Sequence, residues 1–112
     1  MSTVMPDSAS VLSSLAAAAD AARQAYMTAL QANPGQDLSP LYAKEMAAMN
    51  AWSGATAKAL GPNPTVKAAQ ADLDTATNGV RGDLATVKSV AAWVTRLDNL
   101  VQLAVKVAGY FV

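Results

Sequence analysis

The chain has 112 residues, carries no net charge (8 Lys+Arg against 8 Asp+Glu), and contains neither cysteine nor histidine. That length suits one domain, spanning 1–112, with a small core. The missing residue types exclude disulfides, thiolate chemistry, Cys- or His-ligated metals and the commonest general base.

Charged residues make up 14% of the chain, against about 25% in an average globular protein. Hydrophobic residues make up 53%, and nearly half of these are alanine, the strongest helix former. The composition points to an all-α protein, and a surface so poor in charge fits one partly covered in an assembly. Lysines and arginines stand singly along the chain, so no nucleic acid is expected as a partner. Met1 to Ser8 offers neither a basic start nor a long apolar stretch. A cytoplasmic protein, or one exported without a conventional signal peptide, is therefore expected.

The first helix is expected over 8–32, with Asp7 or Ser8 as N-cap after Pro6. Val11 or Leu12, Leu15, Ala18 or Ala19, Ala22, Tyr26 and Leu30 recur at helical spacing as its inner face. Asn33-Pro34-Gly35 ends it. A second helix over 39–60 opens at Ser39-Pro40, where proline loses nothing by lacking an N–H. Its inner face reads Leu41, Met46 or Met49, Trp52, Ala55 or Thr56, and Ala59 or Leu60, before Gly61-Pro62-Asn63-Pro64 stops it.

From Thr65 onward no proline occurs. A seven-residue pattern runs from Val66 through Leu73, Val80, Val87, Val94 and Val101 to Ala108, interleaved with Ala69, Ala76, Asp83, Val90, Leu97, Ala104 and Phe111. Only Asp83 breaks it. Gly79 and Gly82 each cost about 1 kcal/mol in a helix interior, so this third segment is expected to kink or split near Asn78–Gly82, into 65–78 and 82–110. Three long helical segments then form a small bundle; an unbroken third segment would give an extended helical hairpin instead.

Catalytic patterns are scarce. Without histidine no Ser-His-Asp arrangement exists. Asp72 and Asp74 lie on different helix faces, and Glu45 is the single glutamate, so neither paired carboxylates nor a carboxylate metal cluster is offered. No phosphate-binding glycine loop is present. The protein is expected not to be an enzyme and to need no cofactor or metal. Arg81-Gly82-Asp83 reads as a charged helix kink rather than an adhesive loop.

The stretch from Leu84 to Val112 is the most informative. Beside its seven-residue seam it carries Trp93, Leu100 and Val107, spaced seven apart, and then Leu103 and Tyr110. About two thirds of such a helix is apolar, too wide for a single neighbour. It is either the central helix of its own bundle or a surface for another protein; its few cations argue against a membrane surface. The first reading needs nothing beyond the chain itself, and low charge with an apolar end at Tyr110-Phe111-Val112 supports the second. The expected function is that of a non-enzymatic interaction or assembly protein. It would bind itself or a helical partner through Trp93, Leu97, Leu100, Leu103, Val107, Tyr110 and Phe111. An adaptor or immunity-type protein of a bacterial toxin or secretion system fits the same pattern.

Trp52-Ser53-Gly54, near the midpoint of a helical chain of this size, resembles the WXG100 family. The resemblance implies a small secreted helical hairpin that pairs as a dimer, with Trp52 and Gly54 in the turn between its arms. The sequence departs from that pattern. Asn33-Pro34-Gly35 interrupts the first arm, Gly61-Pro62-Asn63-Pro64 is the stronger turn, and only two residues follow Tyr110. On residue pattern alone, Trp52 belongs inside the second helix as a packing anchor, with Gly54 allowing a close helix contact.

Overall fold

The computed structural model describes residues 6–112, and these form an all-α bundle of four helices: α1 (Ser8–Ala32), α2 (Ser39–Thr56), α3 (Val66–Asp83) and α4 (Val90–Ala108). The extended hairpin is thereby ruled out. α1 follows the sequence expectation at both ends. Asp7 caps it by accepting from the Ser10 N–H at 2.7 Å, and Gly35 takes φ +82° in the turn beyond, where an L side chain would be strained.

The other boundaries differ, each for a local reason. α2 stops at Thr56, not at 60. The Ala59 backbone is engaged elsewhere: its N–H donates to the Val112 carbonyl and its carbonyl accepts from the Val112 N–H, while the Gly61 N–H donates to Tyr110. This short antiparallel bridge buries Phe111 and holds the last residues against the α2–α3 connection. A Cβ on Gly61 would meet the Tyr110 carbonyl oxygen at 3.1 Å, so glycine permits that approach. Ser39 does not cap α2 either; Asp37 accepts from its N–H and hydroxyl, which holds the Asp37 carboxyl below its ordinary pKa. Thr65 occupies the N-cap position of α3 but makes no cap bond, its hydroxyl lying 2.6 Å from that of Tyr110.

The break in the third segment falls at Leu84–Ser89 rather than at Asn78–Gly82. Gly79 and Gly82 lie within α3 with nothing near the place of a Cβ. They lower helix propensity there, and burial of Val66, Leu73 and Val80 outweighs that local cost. Ser89 is the effective start signal, accepting from the Ala92 N–H at 3.0 Å. Asp83, the apparent flaw in the seam, ends α3 and accepts from Arg96 Nε at 2.7 Å. The break also resets the register. In α4 the inward row is Trp93, Leu97, Leu100, Ala104 and Val107, while Val90, Val94 and Val101 are only partly buried.

Polar pairs fix the arrangement. Gln70 donates to Ser10 and Ser14, and Arg81 lies 3.7 Å from Asp20, so α1 and α3 run parallel. Lys44 meets Asp98 at 2.7 Å and, further along both segments, Ala59 pairs with Val112, so α2 and α4 run parallel to each other and opposite to α1 and α3. The result is an up-down-up-down bundle. α1 and α4 each touch all three other helices, whereas α2 and α3 lie at opposite corners without touching. Four outer seams follow: α1–α2, α2–α4, α4–α3 and α3–α1.

Candidate interaction surface

The α4 side chains expected to meet a partner face the chain's own core. Trp93, Leu97, Leu100 and Val107 are fully buried and Phe111 nearly so; Leu103 and Tyr110 are partly buried and pack against the same cluster. The Trp93 indole N–H donates to the Val87 carbonyl at 3.1 Å, which anchors the ring to the turn before its helix. Within the bundle Trp93, Leu97, Leu100, Val107 and Phe111 are thus core side chains, with Leu103 and Tyr110 at its margin. The apolar width of α4 is accounted for by three neighbouring helices.

The alanines of α1 make room for these large side chains. Ala18, Ala19, Ala21, Ala22, Ala25 and Ala29 are buried along its length, below Val11 and Leu15. Leu30, expected inside, is instead exposed, and Tyr26 is only partly buried. In α2 the inward positions are Leu41, Glu45, Ala48 and Ala55. Met46 projects outward, while Met49 and Trp52 sit at the margin. Trp52 lies inside α2, as residue pattern suggests, and not in a turn as the family resemblance implies. Gly54 is exposed with open space around it, so it serves no close helix contact.

Part of what α1 and α2 keep out of the core lies along their shared outer seam, whereas Met27 stands on the adjoining outer face of α1, in a hollow it lines with Asp20, Arg23, Gln24, Thr28, Gln31 and Leu84. Two hollows lie on the seam itself. One, of about 240 Å³, is lined by Ala16, Ala19, Asp20, Arg23, Met49 and Trp52. The other, of about 330 Å³, is lined by Tyr26, Leu30, Gln36, Asp37, Leu38, Ser39 and Tyr42. Tyr26 and Tyr42 meet edge to face, with ring centroids 5.9 Å apart, and join the helices between them. Of six large hydrophobic side chains exposed among the described residues, Met27, Leu30, Tyr42 and Met46 belong to these two helices, against Val105 and Val112 elsewhere.

Polar closure separates this seam from the rest. Lys44–Asp98 spans α2–α4, Asp83–Arg96 spans α3–α4, and Arg81–Asp20 with the Gln70 bonds spans α1–α3. Among the described residues no ion pair or hydrogen bond crosses from α1 to α2. The Lys44 ammonium, with help from Gln102, holds the Asp98 carboxyl below its ordinary pKa. No group of three or more acidic side chains able to hold a metal occurs among the described residues. No helix there is long and apolar enough to cross a membrane.

Residue pattern does not single out Arg23, Met27 or Tyr42, and it offers Met46 as a candidate for the inner face of α2, where the structure turns it outward. A signal existed. Ser13, Ala16, Asp20, Arg23, Met27 and Leu30 repeat at alternating three- and four-residue steps, a second row on α1 parallel to the alanine row. Comparison with protein-family models, with characterised proteins and with solved structures finds no match for this chain.

Proposed function

We propose that the protein acts by binding another polypeptide and not by catalysis, receiving a helix along the α1–α2 seam. The observation that carries this reading is the exposure of Leu30, Tyr42 and Met46 on the two helices whose shared outer seam no ion pair crosses among the described residues, with Met27 exposed on the adjoining face of α1. Methionine adapts its flexible thioether to a partner's side chains. Aromatic rings beside small residues supply the anchors and recesses of helix-in-groove recognition. The paucity of charge over the whole chain is consistent with a surface covered in use.

A photoactivatable residue in place of Met46, compared with one in place of Val105, tests the reading in the source cell. Val105 is the more exposed of the two but lies on α4. Cross-linking to a discrete polypeptide from position 46, and much less from 105, is the expected result. Equal labelling from both positions, or none from 46, would refute it.

A further inference from the structure

We infer that the occupant of this seam is a second copy of the same chain, packed antiparallel across α1 about a two-fold axis between Asp20 and Arg23. This rests on the proposed interaction role and names its partner.

The outward row of α1 is complementary to itself when reversed. Placing Asp20 of one copy opposite Arg23 of the other forms two equivalent ion pairs, since an isologous interface repeats every contact. The same register sets Met27 opposite Ala16 and Leu30 opposite Ser13, large against small at both ends. Ala16 forms one edge of the hollow that Ala19, Asp20, Arg23, Met49 and Trp52 also line, so in this register Met27 of each copy faces the recess of the other. Parallel packing would oppose Asp20 to Asp20 and Arg23 to Arg23, which opposes like charges. Asp20 and Arg23 are both exposed. Among the described residues Arg23 has no ion-pair partner, and Asp20 meets only Arg81 at the long distance of 3.7 Å. Charge and size thus agree on one orientation.

Sedimentation of the full-length protein from about 1 µM to about 1 mM should show a reversible monomer–dimer equilibrium. Asp20→Arg and Arg23→Asp should each weaken the dimer by about tenfold or more, because each sets like charges face to face. Mixing the two variants should recover a heterodimer, with cations at both positions of one chain facing anions on the other. Circular dichroism and thermal melting confirm that each variant is folded; Arg23→Asp disturbs no ion pair within the monomer. Met27→Ser should also weaken the dimer without altering its charge dependence. A chain that stays monomeric throughout, or a dimer indifferent to both reversals, overturns the inference. If the chain is monomeric while position 46 cross-links to a different polypeptide, the second-copy assignment falls and the interaction role stands; absence of both refutes the two together.

Discussion

The two helices at the centre of the bundle, α1 and α4, differ in what they bury. α4 turns Trp93, Leu97, Leu100 and Val107 inward, and what it leaves outside is mainly short or polar. α1 turns Val11 and Leu15 inward near its start and alanines beyond them, and it carries Met27 and Leu30 outside. Both helices are apolar over much of their circumference, so width alone does not identify a binding face. The size of what is buried does. A helix whose core side is alanine sits close to its neighbours, and its larger apolar residues are then available to another molecule.

The comparison is broken most directly at Trp93. If α4 is wholly a core element, Trp93→Ala should cost roughly 3–5 kcal/mol, as loss of a buried aromatic does, read from the midpoint of urea unfolding. Under conditions where the variant remains folded, its self-association should be unchanged. A variant of near-native stability with impaired association would return the binding face to α4.

The alanine row of α1 gives the next largest effect. Ala25 is fully buried, and enlarging it to leucine would press α1 away from its neighbours. Ala25→Leu should destabilise by about 1–3 kcal/mol through overpacking. The matching change at exposed Ala9 should leave stability within about 0.5 kcal/mol. Equal tolerance at both positions would show that α1 does not pack through its alanines.

Much of this was legible in the sequence, and the misses have specific causes. Helix content, the limits of α1 and the Asn33–Gly35 turn follow from local signals that tertiary structure leaves intact. The third segment was misdivided because glycine propensity is worth only about 1 kcal/mol per residue. The core contacts of α3 outweigh it, whereas the Ser89 cap and the Asp83–Arg96 pair set the true break. The seam of valines misled because its seven-residue spacing continues by coincidence across Leu84–Ser89, where the helix axis does not. For the surface, apolar width on α4 was read as exposure. The second row on α1 is interrupted by Asp20 and Arg23, so its apolar members form no continuous stripe in the sequence.

Two glycines sharpen the same point at smaller scale. Gly54 and Gly79 are exposed within helices with open space where a Cβ would stand. Gly54→Ala and Gly79→Ala should each stabilise the fold by roughly 0.5–1 kcal/mol by raising helix propensity. Thermal unfolding would show higher midpoints for both. A loss of stability at Gly54 would mean that the tryptophan–glycine pair serves some contact after all.

The weakest expected effect concerns the polar closure that distinguishes the α2–α4 seam from the α1–α2 seam. Hydrogen bonding and charge from Lys44 hold the Asp98 pKa below its ordinary 3.8, so the folded state binds that proton less readily than the unfolded chain. The resulting stability is fully present above the ordinary value and is lost as pH falls through the lower folded value. Lys44→Met should therefore reduce stability slightly near neutrality and leave it nearly unchanged in strong acid, where Asp98 is protonated in both states. Urea midpoints at about pH 7 and about pH 2 give the difference. Asp37, lowered through its bonds to Ser39, acts with the same sign and is retained in the variant, so only part of the acid sensitivity should disappear. Association through α1 should not respond to Lys44→Met. If it does, the seam closed by the ion pair is itself part of the binding surface, and the division between closed and open seams fails.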